Sequence, residues 1–273
     1  MNNKKLCHLP VIFVIALLTL SFILILLIDV WNLFGVRDIV IEYRDFPYFW
    51  FHWFLVPVEV LQWPMLGLCI LTYAFIAGIA YRNGEKEILS FWLLLGAGII
   101  LMLMEDAGDV RHIIRNDIEE ITGESSYGYL GTIFELSYFA LVALIPLYAI
   151  IRYRKVYWPG KATKGYFLLG FACYGLAVFS SWAGSAFRSV TEFNDLYTFA
   201  GQFIVRPLFH LNEGARELYE QTNAEFAERG NHLVEFWFMD RVYEESLELL
   251  GAGALLAAGL SFLFYLNNKK DRL

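Results

Sequence analysis

Six apolar stretches of about 20 to 30 residues, poor in charge, leave this chain little choice of fold. They run at about 9–29, 57–81, 88–108, 128–151, 165–187 and 236–266. A segment of that length crosses a hydrocarbon layer ~30 Å thick as an α-helix, which satisfies its own backbone where no water can. The reading is an all-α fold: a polytopic membrane bundle of six transmembrane helices, with residues 1–273 as one integral membrane domain. Composition agrees: 58% of the residues are hydrophobic and 18% charged, against about 25% charged in a soluble domain. An ordinary soluble enzyme is thereby excluded, and a net charge of −7 argues against nucleic acid as a partner.

The loops set the orientation. All the lysines fall on one side: Lys4, Lys5, Lys86, Lys155, Lys161, Lys164, Lys269 and Lys270. With Arg82, Arg152, Arg154 and Arg272 that side holds 12 of the 21 basic residues and three of the 28 acidic ones, Glu85, Glu87 and Asp271. The other side keeps nine arginines against 25 acids. By the positive-inside rule both termini are cytoplasmic, in the inner (plasma) membrane of a cell. No Asn-x-Ser/Thr glycosylation site is present, which leans towards a prokaryotic membrane. The first apolar run, Leu9 to Ile28, is too long for a signal-peptide core and no small-x-small cleavage site comes after it, so it reads as an uncleaved helix. Cys7, Cys69 and Cys173 sit in or beside apolar runs and read as small buried hydrophobes.

Three elements are expected outside. Phe46 to Phe54 is almost wholly aromatic and too short to span, so its rings are expected at the headgroup level, with His52 as an interfacial side chain. Ile113 to Glu124 reads as an acidic connection closed by Gly123. The third element, Arg188 to about Glu235, contains an extracytoplasmic amphipathic helix at about 213–229, capped by Asn212 and stopped by Gly230. It is expected to lie on the membrane surface or to cap the bundle. Gly96-Ala97-Gly98 and Gly251-Ala252-Gly253 read as small-residue seams for close packing of the third and sixth helices.

The feature that points towards function is a layer of acids. Glu105, Glu135 and Glu248 lie about 16–18 residues, or ~24–27 Å, from the cytoplasmic ends of three different helices. Asp109, Glu244, Glu245 and Glu59 come about one turn further out, near His112, Arg188 and Arg241. Glu105, Asp109 and His112 stand at i, i+4 and i+7, one face of a continuous helix, and Arg241, Glu244, Glu245 and Glu248 form a second stripe. A charge within a membrane helix costs at least ~2.5–3.5 kcal/mol, so such stripes are expected to face one another or a wet cavity.

The acids admit three functional readings. In the first, Glu105, Asp109, His112, Glu135, Glu245 and Glu248 ligate a divalent metal (Mn, Fe, Zn, Mg or Ca), in partial likeness to the carboxylate pattern of dinuclear helical bundles. Glu59 or Glu244 is then a general base, and Arg188 or Arg241 clamps the anionic headgroup of a lipid or lipid-linked substrate from the bilayer. Only one histidine is present where that pattern has two. In the second reading, arginines pair with the acids and lock the bundle, leaving a structural or interaction subunit with a membrane-protein partner. The third makes the acids a proton or cation relay, although no polar path continues through 89–103 or 249–266. Motifs of known membrane enzymes are missing: a Glu-Glu-x-x-x-Arg protease needs arginine at 249 or 124, where Leu249 and Glu124 stand.

Overall fold

The computed structural model describes residues 6–123, 129–190 and 196–270, and all regular structure among them is helical. In chain order the helices are α1 (Leu9–Val30), α2 (Val36–Tyr43), α3 (Phe49–Arg82), α4 (Lys86–Gly108), α5 (Val110–Thr122) and α6 (Tyr129–Arg152). Next come α7 (Arg154–Tyr157), α8 (Lys161–Val190), α9 (Leu196–Gln202), α10 (Val205–Phe209), α11 (Glu213–Glu228) and α12 (Val234–Asn267). Five are long and apolar enough to cross a membrane: α1, α3, α4, the Lys161–Ser181 part of α8, and α12. In α6, Ser137–Arg152 forms a shorter apolar stretch. Positive-φ glycines end several helices, among them Gly84 after α3, Gly123 after α5 and Gly230 after α11.

The chain divides into two compact units, and the division falls within α1, α3, α8 and α12. Unit 1 comprises Met1–Val14, Leu61–Leu176 and Glu248–Leu273. Its centre is α12, whose apolar window is 72% buried, against 28–39% for the other four spans. Trp92 is fully buried between the rings of Tyr73, Phe167 and Phe262, and Tyr73 donates to the Leu255 carbonyl at 2.9 Å. The glycine seams lie here, and they bring α4 and α12 close to neighbouring helices. A Cβ on Gly98 would stand 3.0 Å from Pro146 of α6. A Cβ on Gly251 would strike the Tyr174 ring of α8 at 2.7 Å, one on Gly170 would strike Leu255 at 2.8 Å, and one on Gly253 would meet Val14 of α1 at 2.9 Å. Within lipid, apolar burial gives helices little reason to associate, so close approach of backbones and dispersion must hold them. Cys7, Cys69 and Cys173 are all buried and free, as small hydrophobes should be.

Unit 2 comprises Ile15–Val60 and Ala177–Leu247. The aromatic segment packs into the core of this unit: Tyr48, Trp50 and Phe54 are fully buried. Phe46 stacks on Phe51 at 4.1 Å and meets Phe226 of α11 at 5.6 Å, while Trp50 packs edge-on against Phe238. His52 bonds the Phe46 carbonyl at 2.9 Å. Asn212 caps α11 by accepting from Ala215 N–H at 3.2 Å, and the apolar face of that helix turns into this core through Ala215 and Tyr219. Between α1 and α2 the backbone turns left-handed at Asn32, Phe34 and Gly35. Asn32 braces the turn by accepting from Arg37 N–H and donating to Asp38.

The glycine contacts of unit 1 carry a direct test. Gly170→Leu or Gly251→Leu is expected to destabilise the protein in detergent by about 1–3 kcal/mol through overpacking. Gly67→Ala, where a Cβ would meet nothing within 4 Å, should be neutral or stabilising by up to about 1 kcal/mol. Thermal unfolding of the three variants distinguishes the two outcomes.

Candidate functional site

Among the described residues three of the long helices widen into π turns, and all three turns lie in unit 2: Leu26–Val30 in α1, Phe54–Val58 in α3 and Met239–Glu244 in α12. Pro57 lies inside the second, where its missing N–H and bulky ring disfavour the ordinary helical bond. π turns are rare and collect at functional sites. The Phe54–Val58 turn packs on Met239–Glu244, and the Phe49–Trp53 turn packs on both Leu26–Val30 and Met239–Glu244. On or beside these turns stand Asp29, Glu59, Asp240, Arg241 and Glu244.

Asp29 is fully buried and accepts two backbone bonds, from Phe49 N–H at 2.7 Å and Trp50 N–H at 3.0 Å. These are the first amides of α3, so a carboxylate twenty residues upstream caps that helix and complements its dipole. The helix accordingly begins at Phe49, eight residues before the expected start at 57. Arg37 reaches back to the Asp29 and Val30 carbonyls at 3.2 and 3.5 Å, capping the end of α1.

Arg241 lies between two acids, its Nη1 at 3.8 Å from Glu59 Oε2 and its Nε at 3.3 Å from Asp240 Oδ2. The three side chains are 23–28% exposed. Tyr197 of α9 donates to Glu244 Oε2 at 2.7 Å and lies 3.1 Å from Ser180 Oγ. Burial, then the negative charge of Glu244, pushes the Tyr197 phenol far above its ordinary value, so it remains a donor. In unit 1, the buried Gln62 donates to Glu248 Oε2 at 3.2 Å.

The remaining expected residues lie on several elements. Glu245 is buried in unit 2. Glu105 is half-buried near the end of α4, and Asp109 is exposed. His112, Glu135 and Arg188 lie on α5, α6 and α8, with side chains outside the described ones. The expected face of Glu105, Asp109 and His112 is broken: α4 stops at Gly108, Asp109 adopts φ 48°, and α5 starts on a new axis. The stripe on α12 is broken by its π turn, which inserts an extra residue and rotates the rest of the helix by about 100°. Among the described residues no three His, Cys, Asp or Glu side chains gather so as to hold a metal.

Asp29, Gln62 and Tyr197 escaped the sequence reading. Asp29 had one available signal, an acid within an apolar run, but its partners lie twenty residues on. No family model matches the chain, and no curated protein or solved structure matches it either. The site is therefore judged on its geometry.

Asp29→Ala leaves two buried amides without an acceptor, and a loss of about 1–3 kcal/mol is expected. Asp29→Asn keeps an acceptor for one of them and should cost less. Chemical unfolding in detergent measures both, and an alanine variant within about 0.5 kcal/mol of wild type would refute the cap.

Proposed function

We propose that this multi-pass protein has six spans, with both termini cytoplasmic in the inner (plasma) membrane, and that it serves as a structural or interaction subunit. On this reading its acidic layer is an interhelical lock and not a reaction centre. The lysine asymmetry and the apolar stretch of α6 support the topology. The observation that carries the function is Arg241 between Glu59 and Asp240. The residue expected to clamp a headgroup is held by the residue expected to act as base, and both join α3 to α12. Tyr197 with Glu244 and Gln62 with Glu248 repeat the pattern, each tying an acid to another helix. Such pairs add little over a well-packed apolar contact, yet losing one partner is costly, so they fix which helices pair.

The partner surface is assigned to the α1–α2 turn. Phe34 there is 90% exposed and left-handed, a conformation that costs a non-glycine residue about 1–2 kcal/mol. Trp31, Leu33, Ile39 and Tyr43 are exposed beside it. Strain kept at an exposed aromatic favours a contact role over a folding role.

Both assignments can be tested. In a double-mutant cycle, Glu59→Gln and Arg241→Met should be coupled by about 0.5–1.5 kcal/mol, and elemental analysis should find substoichiometric metal. Independent effects together with stoichiometric Mn, Fe or Zn would reverse the assignment in favour of a second reading, a divalent-metal enzyme acting on a lipid-linked substrate. The π turns beside Glu59, Asp240 and Glu244 are what favour that second reading. Separately, Phe34→Gly should raise stability by about 1 kcal/mol while abolishing a larger complex on native gels of solubilised membranes. A complex that survives the substitution would exclude this surface.

A further inference from the structure

Unit 2 contains a cavity of about 190 Å³ whose wall is entirely polar or amphipathic: Gln202, Arg206, His210, Tyr219, Glu220 and Glu235. At ~30 Å³ for each water-sized group, it has room for roughly six of them. Glu235 is only 3% exposed. Tyr219 donates to its Oε1 in a short bond, and Asn223 Nδ2 donates to Oε2 at 3.1 Å. The Asn223 amide cannot be reversed without loss, because its Oδ1 accepts from Val234 N–H at 2.9 Å. Tyr219 is held as a donor too: burial, then its bond to Glu235, pushes its phenol up. Gly201 brings α9 against the same residue, where any Cβ would stand 2.7 Å from the Glu235 carbonyl oxygen.

Both donors that fix this carboxylate are neutral, and among the described residues no arginine or lysine lies within ion-pair distance of it. A buried carboxylate held in place by neutral groups still calls for a positive charge. The cavity beside it supplies the space. Its exposed rim carries Arg206, Gln202 and His210 as donors beside the Glu220 carboxylate, and the Arg206 charge bears on the Tyr219 hydroxyl. The cavity therefore offers a buried carboxylate, Glu235, to a cation and an exposed guanidinium, Arg206, to an anion.

We propose that this cavity binds a small zwitterion, with a primary ammonium seated on Glu235 and an anionic group on Arg206 and Gln202. A free amino acid and the phosphoethanolamine headgroup of a lipid share this chemistry. A choline headgroup does not, because a quaternary ammonium has no N–H to give Glu235.

The test uses the full-length protein in nanodiscs of phosphatidylcholine alone. Glycine, alanine or phosphoethanolamine is added in solution, and in a parallel series phosphatidylethanolamine replaces part of the phosphatidylcholine. Thermal unfolding should shift upwards by several degrees with the amino acids, the soluble headgroup or the ethanolamine lipid. Which arm responds identifies the source. Arg206→Ala and Gln202→Ala are rim substitutions compatible with folding, and each should weaken the response at least tenfold in ligand concentration. Glu235→Gln should remove it. No response in any arm overturns the proposal, as does a response of undiminished strength in Arg206→Ala.

Discussion

Every carboxylate placed along a helix bound for a low-dielectric layer must be answered locally. Left alone, each would cost at least ~2.5–3.5 kcal/mol. This chain answers with whatever donor the neighbouring element can bring. Asp29 takes two backbone amides, Glu59 and Asp240 share one guanidinium, Glu244 takes a phenol, Glu248 a side-chain amide, and Glu235 a phenol and an amide together. In most of these the donor comes from a different helix. The acids thus convert an insertion cost into pairing information: α1 is tied to the start of α3, α3 to α12, and α9 and α11 to α12.

The two longest spans show what that pairing requires. At ~1.5 Å per residue, 34 residues of α3 or α12 extend ~51 Å, well beyond a ~30 Å hydrocarbon layer. The excess is not spare length. In α3 it is Phe49 to Val58, rich in aromatic residues and started by Asp29. In α12 it is Val234 to Glu244, which carries Glu235, Asp240 and Arg241. Both excess segments contain a π turn, and the two turns pack on each other. A helix that must present Trp50 and Phe54 to an aromatic core and then an acid to a partner needs a change of phase between the two tasks. A single inserted residue supplies it.

The same phase change explains which parts of the sequence were legible. Apolar length is local, so α1, α3, α4, α8 and α12 could be read directly. A cap three residues from its amide is also local, and Asn212 could be read for that reason. Asp29 acts on amides twenty residues away, and nothing between them records the contact. Counting at 3.6 residues per turn places the acids on common faces. That counting fails wherever the helix departs from the ideal: at Asp109, where the backbone turns left-handed, and at Glu244, where a π turn ends. Pro57 is the one compositional mark of a π turn; Asp240 and Arg241 leave none.

The two units thus hold themselves together by different means. In unit 1, Gly170, Gly251 and Gly253 let backbones approach until a single Cβ would collide, and the contacts that result are dispersion and shape. Such a surface tolerates little change in volume. Among the described residues of unit 2 the same closeness appears where Gly201 meets Glu235. There it serves the opposite end, because the neighbouring residues are polar and a cavity remains open at their side. A fold that relied on polar pairs throughout would have had to bury more charges than its donors could answer. Dividing the two strategies between units leaves Glu235 buried, fixed by neutral donors, and beside open space.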